Sequence, residues 1–109
     1  MKRIKFAPNL VQLILDGTKT STWRLWDDKD LQTGDMVEFA NAETQEVFSK
    51  AELTNVIEKP FKDLTDDEKL GHEKYTSNDE MFKKFEGYYN KPVDENTLFK
   101  IISFKLLNN

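Results

Sequence analysis

Gly17-Thr18-Lys19-Thr20-Ser21-Thr22-Trp23-Arg24-Leu25-Trp26 is the stretch that decides the fold. It follows a short amphipathic segment and opens on a glycine, which reaches positive φ at no steric cost and lets the chain turn sharply. The next nine residues carry an ammonium, a guanidinium, two indoles and the hydroxyls of Thr18, Thr20, Ser21 and Thr22. A strand that only filled a core would not gather so many polar groups, and one that only met solvent would not need Trp23, Leu25 and Trp26. A strand from Thr20 to Trp26 alternates its faces. It turns Thr20, Thr22, Arg24 and Trp26 toward a polar pocket with an aromatic floor, and Ser21, Trp23 and Leu25 toward the core. Lys19 falls in the turn, where alternation does not bind it. An edge strand, with threonines for β-propensity and charges against aggregation, accounts for the same pattern equally well.

Composition narrows what this stretch can do. At 109 residues, 38% hydrophobic and 33% charged, the chain is expected to form one globular domain over residues 1–109. It holds no apolar run long enough to span a bilayer and no signal-peptide core near Met1, so no membrane role is expected. Zero cysteines exclude disulfides, thiolate metal sites and a cysteine nucleophile, and suit a cytoplasmic location. The single histidine, His72, offers no cluster for a metal, and no cofactor is expected. A net charge of −4 disfavours extended nucleic-acid binding, which needs a basic face. Lys2, Arg3 and Lys5 would join Lys100 and Lys105 in a basic strip only if the terminal strands pair. A small ligand, one base or nucleoside, suits the charge better.

Around the central stretch the chain alternates strands and helices. Arg3 to Ala7 reads as a strand, and Pro8 suits the first turn of a helix that Asp16-Gly17 ends. Met36 to Ala40 and Val47 to Ile57 read as strands, the second long and irregular enough to need a bulge or full burial. Thr65 to Glu68 and Ser77 to Glu80 have the form of capping boxes. Met81, Phe82, Phe85, Tyr88 and Tyr89 then repeat at helical spacing and are expected in the core. Thr97 to Leu107 is the last strand. The order predicts an α+β domain built on a small mixed β-barrel of about five or six strands with flanking helices.

Ile14-Leu15-Asp16-Gly17-Thr18-Lys19-Thr20, then Thr22 and Arg24, Gly34-Asp35 before a strand, Gly71-His72-Glu73 to Tyr75, and a closing Phe104-Lys105-Leu106-Leu107 together resemble the ASCH domain. That family is a branch of the PUA-like superfamily, and the resemblance covers nearly the whole chain. It implies a small β-barrel whose cleft faces RNA or nucleotide-like ligands. The compact bacterial members that the chain resembles include amidohydrolases that convert N4-acetylcytidine to acetate and cytidine. Their lysine, their threonine three positions later and their glutamate in the second half fall on Lys19, Thr22 and Glu73. Thr18 stands where a basic residue is common, and Trp23 where a smaller aliphatic one is, which bears on substrate range.

The implied chemistry makes Thr22 the nucleophile on the acetyl carbonyl. A threonine hydroxyl is weak in that role until a base takes its proton. Lys19 can be that base if it is neutral, through burial or a nearby cation such as Arg24. If it stays protonated it serves the oxyanion instead, with Glu73 as base and later as acid to the leaving amine. His72 is a reserve base. Arg24, Thr20, Trp23 and Trp26 are expected to hold substrate. Two further readings use the same residues: a non-catalytic module binding single-stranded RNA, and a ribonuclease.

Overall fold

Pro8 and Gly17 bracket the first helix and decide how the chain enters the site. The computed structural model describes residues 1–69, 72 and 75–107. Strand β1 (Lys2–Phe6) leads into helix α1 (Pro8–Leu15), with Pro8 in the first turn where its missing N–H costs nothing. Gly17 ends it at φ +85°, a conformation L side chains rarely adopt. Around that turn the Asp16 carboxylate accepts from the Thr18 N–H at 2.9 Å, and the Lys19 N–H donates to the Leu13 carbonyl at 2.9 Å. Lys19 is thereby pinned two residues before strand β2 (Ser21–Leu25).

Strands β3 (Met36–Asn41), β4 (Val47–Pro60) and β5 (Leu98–Leu107) complete a five-stranded sheet in the order β1-β3-β4-β5-β2. The β1–β3 pair is parallel and the other three are antiparallel. Register shifts at Phe39/Ala40 and at Leu53/Asn55 mark bulges, which increase local twist and curl the sheet into a half-barrel. The fold is the expected α+β arrangement, with five strands. The terminal strands do not pair: β1 lies on one edge beside β3, and β5 is interior, between β4 and β2. No basic strip forms from them. Lys2 and Arg3 instead meet Asp35 at 2.9 Å and Glu38 at 3.0 Å, and Lys100 meets Asp27 at 2.7 Å.

Alternation along β5 divides the core in two. Ile102 and Phe104 face inward with Ile4, Phe6, Phe39 and Leu53, closed on one side by Ile14 of α1. Phe99 and Ile101 face the other way, where they meet Trp23 and Leu25 of β2 and Phe61 of a short 3-10 turn (Phe61–Asp63). Helix α2 (Asp66–Lys69) starts on a reciprocal cap, in which Thr65 and Glu68 each accept the other's N–H. Helix α3 (Asn78–Tyr89) covers the second cluster with Met81 and Phe85. Ser77 accepts from the Glu80 N–H, but the Glu80 carboxylate takes the Thr76 hydroxyl, so this cap is not reciprocal. Tyr88 departs from the expected core and stands 63% exposed. No helix of the described residues is long and apolar enough to cross a membrane.

The loop after β2 is tied to β5 by a buried ion pair. Asp27, its side chain 5% exposed, accepts from the Lys100 ammonium and from the N–H groups of Leu31 and Lys29. Burial alone would raise its pKa; the Lys100 hydrogen bond and the two amides outweigh burial and hold it below the usual 3.8. A carboxylate with a lowered folded pKa stabilises above the unfolded pKa and loses that contribution as pH falls through the folded one. Asp27→Asn should therefore cost about 1–3 kcal/mol at neutral pH. Thermal melts of the two proteins should converge as the pH is lowered through and below the ordinary carboxylate range.

Candidate functional site

Strand β2 brings the predicted residues together because its two faces meet different surroundings. Thr22 pairs with Ile102 and lies on the inward side, and it is only 4% exposed. Lys19, from the turn before the strand, is 2% exposed. Both side chains line one cavity of about 310 Å³. A lysine buried to this degree is uncommon, since burial disfavours the ammonium unless partners compensate it.

Arg24 forms the next part of the wall. β1 and β2 are the two edges of the curled sheet, and the gap between them is where the cavity opens. The Arg24 guanidinium crosses that gap, donating from Nη2 to the Lys5 carbonyl at 2.8 Å and lying 5.0 Å from the centre of the Phe6 ring. Its planar fork suits this combination of hydrogen bond and ring contact.

Trp23 faces the second cluster, as alternation requires, yet it also borders the cavity. Its indole stacks on His72 with centroids 3.8 Å apart and planes at 13°. His72 is 9% exposed and Tyr75 lies 5.8 Å from it, and both line the cavity. Glu73 itself lies outside the described residues.

Two predicted residues do not join this wall. Thr20 is exposed and borders a separate hollow with Ser21, Asn55 and Asp67. It precedes β2, and although its carbonyl still accepts from the Phe104 N–H at 3.2 Å, its side chain no longer follows the strand's alternation. Trp26 sits just past the strand at φ +47°, which swings its ring away from the line of Thr22 and Arg24. It is 45% exposed and lies against Tyr89 and under the Lys91 ammonium, in a hollow on the far side of Arg24. The expected shared face of four side chains is thus reduced to Thr22 and Arg24. Tyr88 and Tyr89, expected in the core, line the cavity, and so does Phe6, which the sequence placed only in a strand. Among the described residues, no three His, Asp or Glu side chains gather closely enough to hold a metal.

No family model matches the sequence, and no curated protein matches it. Solved structures do share the fold. A protein of Enterococcus faecalis V583 assigned to the family model DUF984 aligns with a TM-score of 0.72 at 18% identity, over 91% of this chain and 70% of its own. The ASCH domain of Lactobacillus crispatus JV V101 aligns with a TM-score of 0.65 at 18% identity, over 87% and 68%. A variant of the Zymomonas mobilis ASCH protein aligns with a TM-score of 0.64 at 14% identity, over 97% and 72%. The chain has the ASCH-domain fold.

Helix α3 also guards the free edge of β2. The Tyr89 hydroxyl accepts from the outward N–H of Leu25 at 3.1 Å. Tyr89→Phe keeps the ring and removes the acceptor, so it should cost about 1 kcal/mol and lower the melting temperature by roughly 4–8 °C. Hydrogen exchange at the Leu25 amide should accelerate more than at its neighbour Arg24.

Proposed function

We propose that this chain is an amidohydrolase that removes the acetyl group from N4-acetylcytidine or a related acylated nucleoside or base. The observation that carries the reading is that Lys19 and Thr22, the residues matched by the resemblance, are both buried and both line the same cavity. That cavity falls in the size range of small-ligand sites, mostly apolar with a few polar groups aimed inward. Exposed Tyr88 stands at its rim, where an aromatic face can stack on a base.

In this reading the Thr22 hydroxyl attacks the acetyl carbonyl and forms a tetrahedral oxyanion. Collapse breaks the C–N bond, N4 of the leaving cytidine takes a proton, and water then cleaves the acetyl ester of Thr22 to acetate. Burial of Lys19 favours a neutral amine that can take the hydroxyl proton, whereas a carboxylate close by, the proposed place of Glu73, favours the ammonium. We assign Lys19 as the base, with Glu73 as the acid toward the leaving amine. Arg24 is too engaged across the gap to move far, and it orients a substrate oxygen rather than transferring a proton. No metal or cofactor enters this scheme.

A second reading has its own observation. The Trp26 ring, with Lys91 over it, makes an aromatic hollow of mixed charge beside the cavity, where Arg24 and Lys29 stand with Asp27 and Asp28. A non-catalytic module could hold successive bases of single-stranded RNA there. The net charge of −4 weighs against it.

Incubation with N4-acetylcytidine in the presence of a chelator should release cytidine. Thr22→Ser should keep part of the activity and Thr22→Val should lose at least about 100-fold in kcat. Lys19→Arg puts a permanent cation there that cannot act as a base, so it too should be nearly inactive. A well-folded Thr22→Val protein with normal turnover ends the covalent scheme. An active Lys19→Arg protein moves Lys19 to the oxyanion. A tight, steeply salt-dependent preference for an RNA oligomer over the nucleoside supports the second reading.

A further inference from the structure

The cavity is lined from both faces of a single strand. Thr22 and Arg24 contribute from the inward face of β2, while Trp23, with His72 and Phe85 behind it, contributes from the opposite face. A cavity that touches both faces of one strand must run along that strand's free edge. β2 is an edge strand, with β5 on its other side.

Backbone direction along that edge follows from the register. Thr20 accepts from the Phe104 N–H, so Thr20 and Phe104 are a hydrogen-bonded pair of the ladder. In an antiparallel ladder such pairs recur at every second residue, and each exchanges both N–H and C=O. Thr22 with Ile102 and Arg24 with Lys100 are therefore the next such pairs, and the main-chain groups of Ser21, Trp23 and Leu25 point away from β5. The Leu25 N–H confirms the direction, since it reaches outward to the Tyr89 hydroxyl. Trp23 is the middle residue of that row. Its N–H and C=O face the cavity, side by side, and among the described residues neither a side chain nor a loop amide takes them.

We infer that this free edge reads the ligand: the Trp23 N–H donates to ring N3 of a cytosine and the Trp23 C=O accepts from the adjacent N4–H. A residue pointing outward from a strand offers a donor and an acceptor at the spacing of an antiparallel partner, and a planar heterocycle with neighbouring acceptor and donor can occupy that place. Cytosine and its N4-acyl derivatives have this arrangement at N3 and N4–H. Docked so, the base and its coplanar acyl group lie in the plane of the strand, and the acyl carbonyl presents one of its faces to the inward side, where Thr22 and Lys19 lie. The identity of the heterocycle rests on the function proposed above. The edge itself rests on the register alone.

The test uses the whole chain labelled with nitrogen-15. Titration with cytidine should shift the Trp23 amide proton downfield, and further than that of Thr22, whose N–H is bonded to β5. The analogue 3-deazacytidine replaces the N3 acceptor with C–H and leaves the rest of the base intact. It should bind at least about tenfold more weakly and leave the Trp23 amide in place, because one unanswered polar group in a buried site costs about that much. Equal affinity for the two ligands, saturable binding without a Trp23 shift, or no cytidine binding at millimolar concentration each overturns the inference. Hydrolysis is scored separately. A Trp23 shift without cleavage of N4-acetylcytidine sinks the proposed activity and leaves edge recognition standing, and cleavage without a Trp23 shift does the reverse.

Discussion

A sheet that curls but does not close must settle what lies between its two edges, and here the answer is the Arg24 guanidinium. It is rooted on β2, bonded to a β1 carbonyl and laid near the Phe6 ring. Without it, two rows of backbone groups would face each other across an apolar gap, which is costly for groups left unsatisfied. With it, the edges are held apart at the span of one side chain, and the remaining length of the gap is left as a cavity. Lys19 and Thr22 stand in that cavity because the same strand supplies them, one just before its start and one within it. Stability of the half-barrel and shape of the site are therefore two results of one contact.

The edges are also managed differently. β1 is secured by ion pairs from Lys2 and Arg3 to the neighbouring strand and its approach. β2 is shielded by α3 through Tyr89, and by the Trp23–His72 stack. Those coverings stop an exposed edge from recruiting a second chain. Among the described residues, these coverings leave the Trp23 main chain facing the cavity.

How much of this was legible in the sequence depended on how local each cause was. Pro8, Gly17, the Thr65 cap and the alternation of Thr22, Trp23 and Leu25 act over a few residues, and their consequences were readable. Thr20 and Trp26 were misplaced because alternation assumes a regular strand, and one lies before β2 while the other bends away at positive φ. Tyr88 belongs to the same helical repeat as Phe85, yet Phe85 is buried and Tyr88 exposed, a difference that depends on what helix α3 packs against and not on its own spacing. The edge positions of β1 and β2, and the Asp27–Lys100 tie across 73 residues, come from long-range pairing that no local pattern encodes. Glu73 was matched by resemblance, and its place lies outside the described residues.

The strand order also governs when the site can exist during synthesis. β2 is made well before its ladder partner β5, which follows about seven-tenths of these 109 residues later. Such non-local pairing is reached late, after the intervening loop has closed, and it slows folding relative to local contacts. Until β5 has left the ribosome, Trp23 and Leu25 have no sheet to lie on, and both edges of β2 are open. The emerging chain therefore carries this strand unpaired until β5 has been made. The polar and charged side chains crowded into residues 18–24 keep that waiting segment in water before they are ever needed for a ligand.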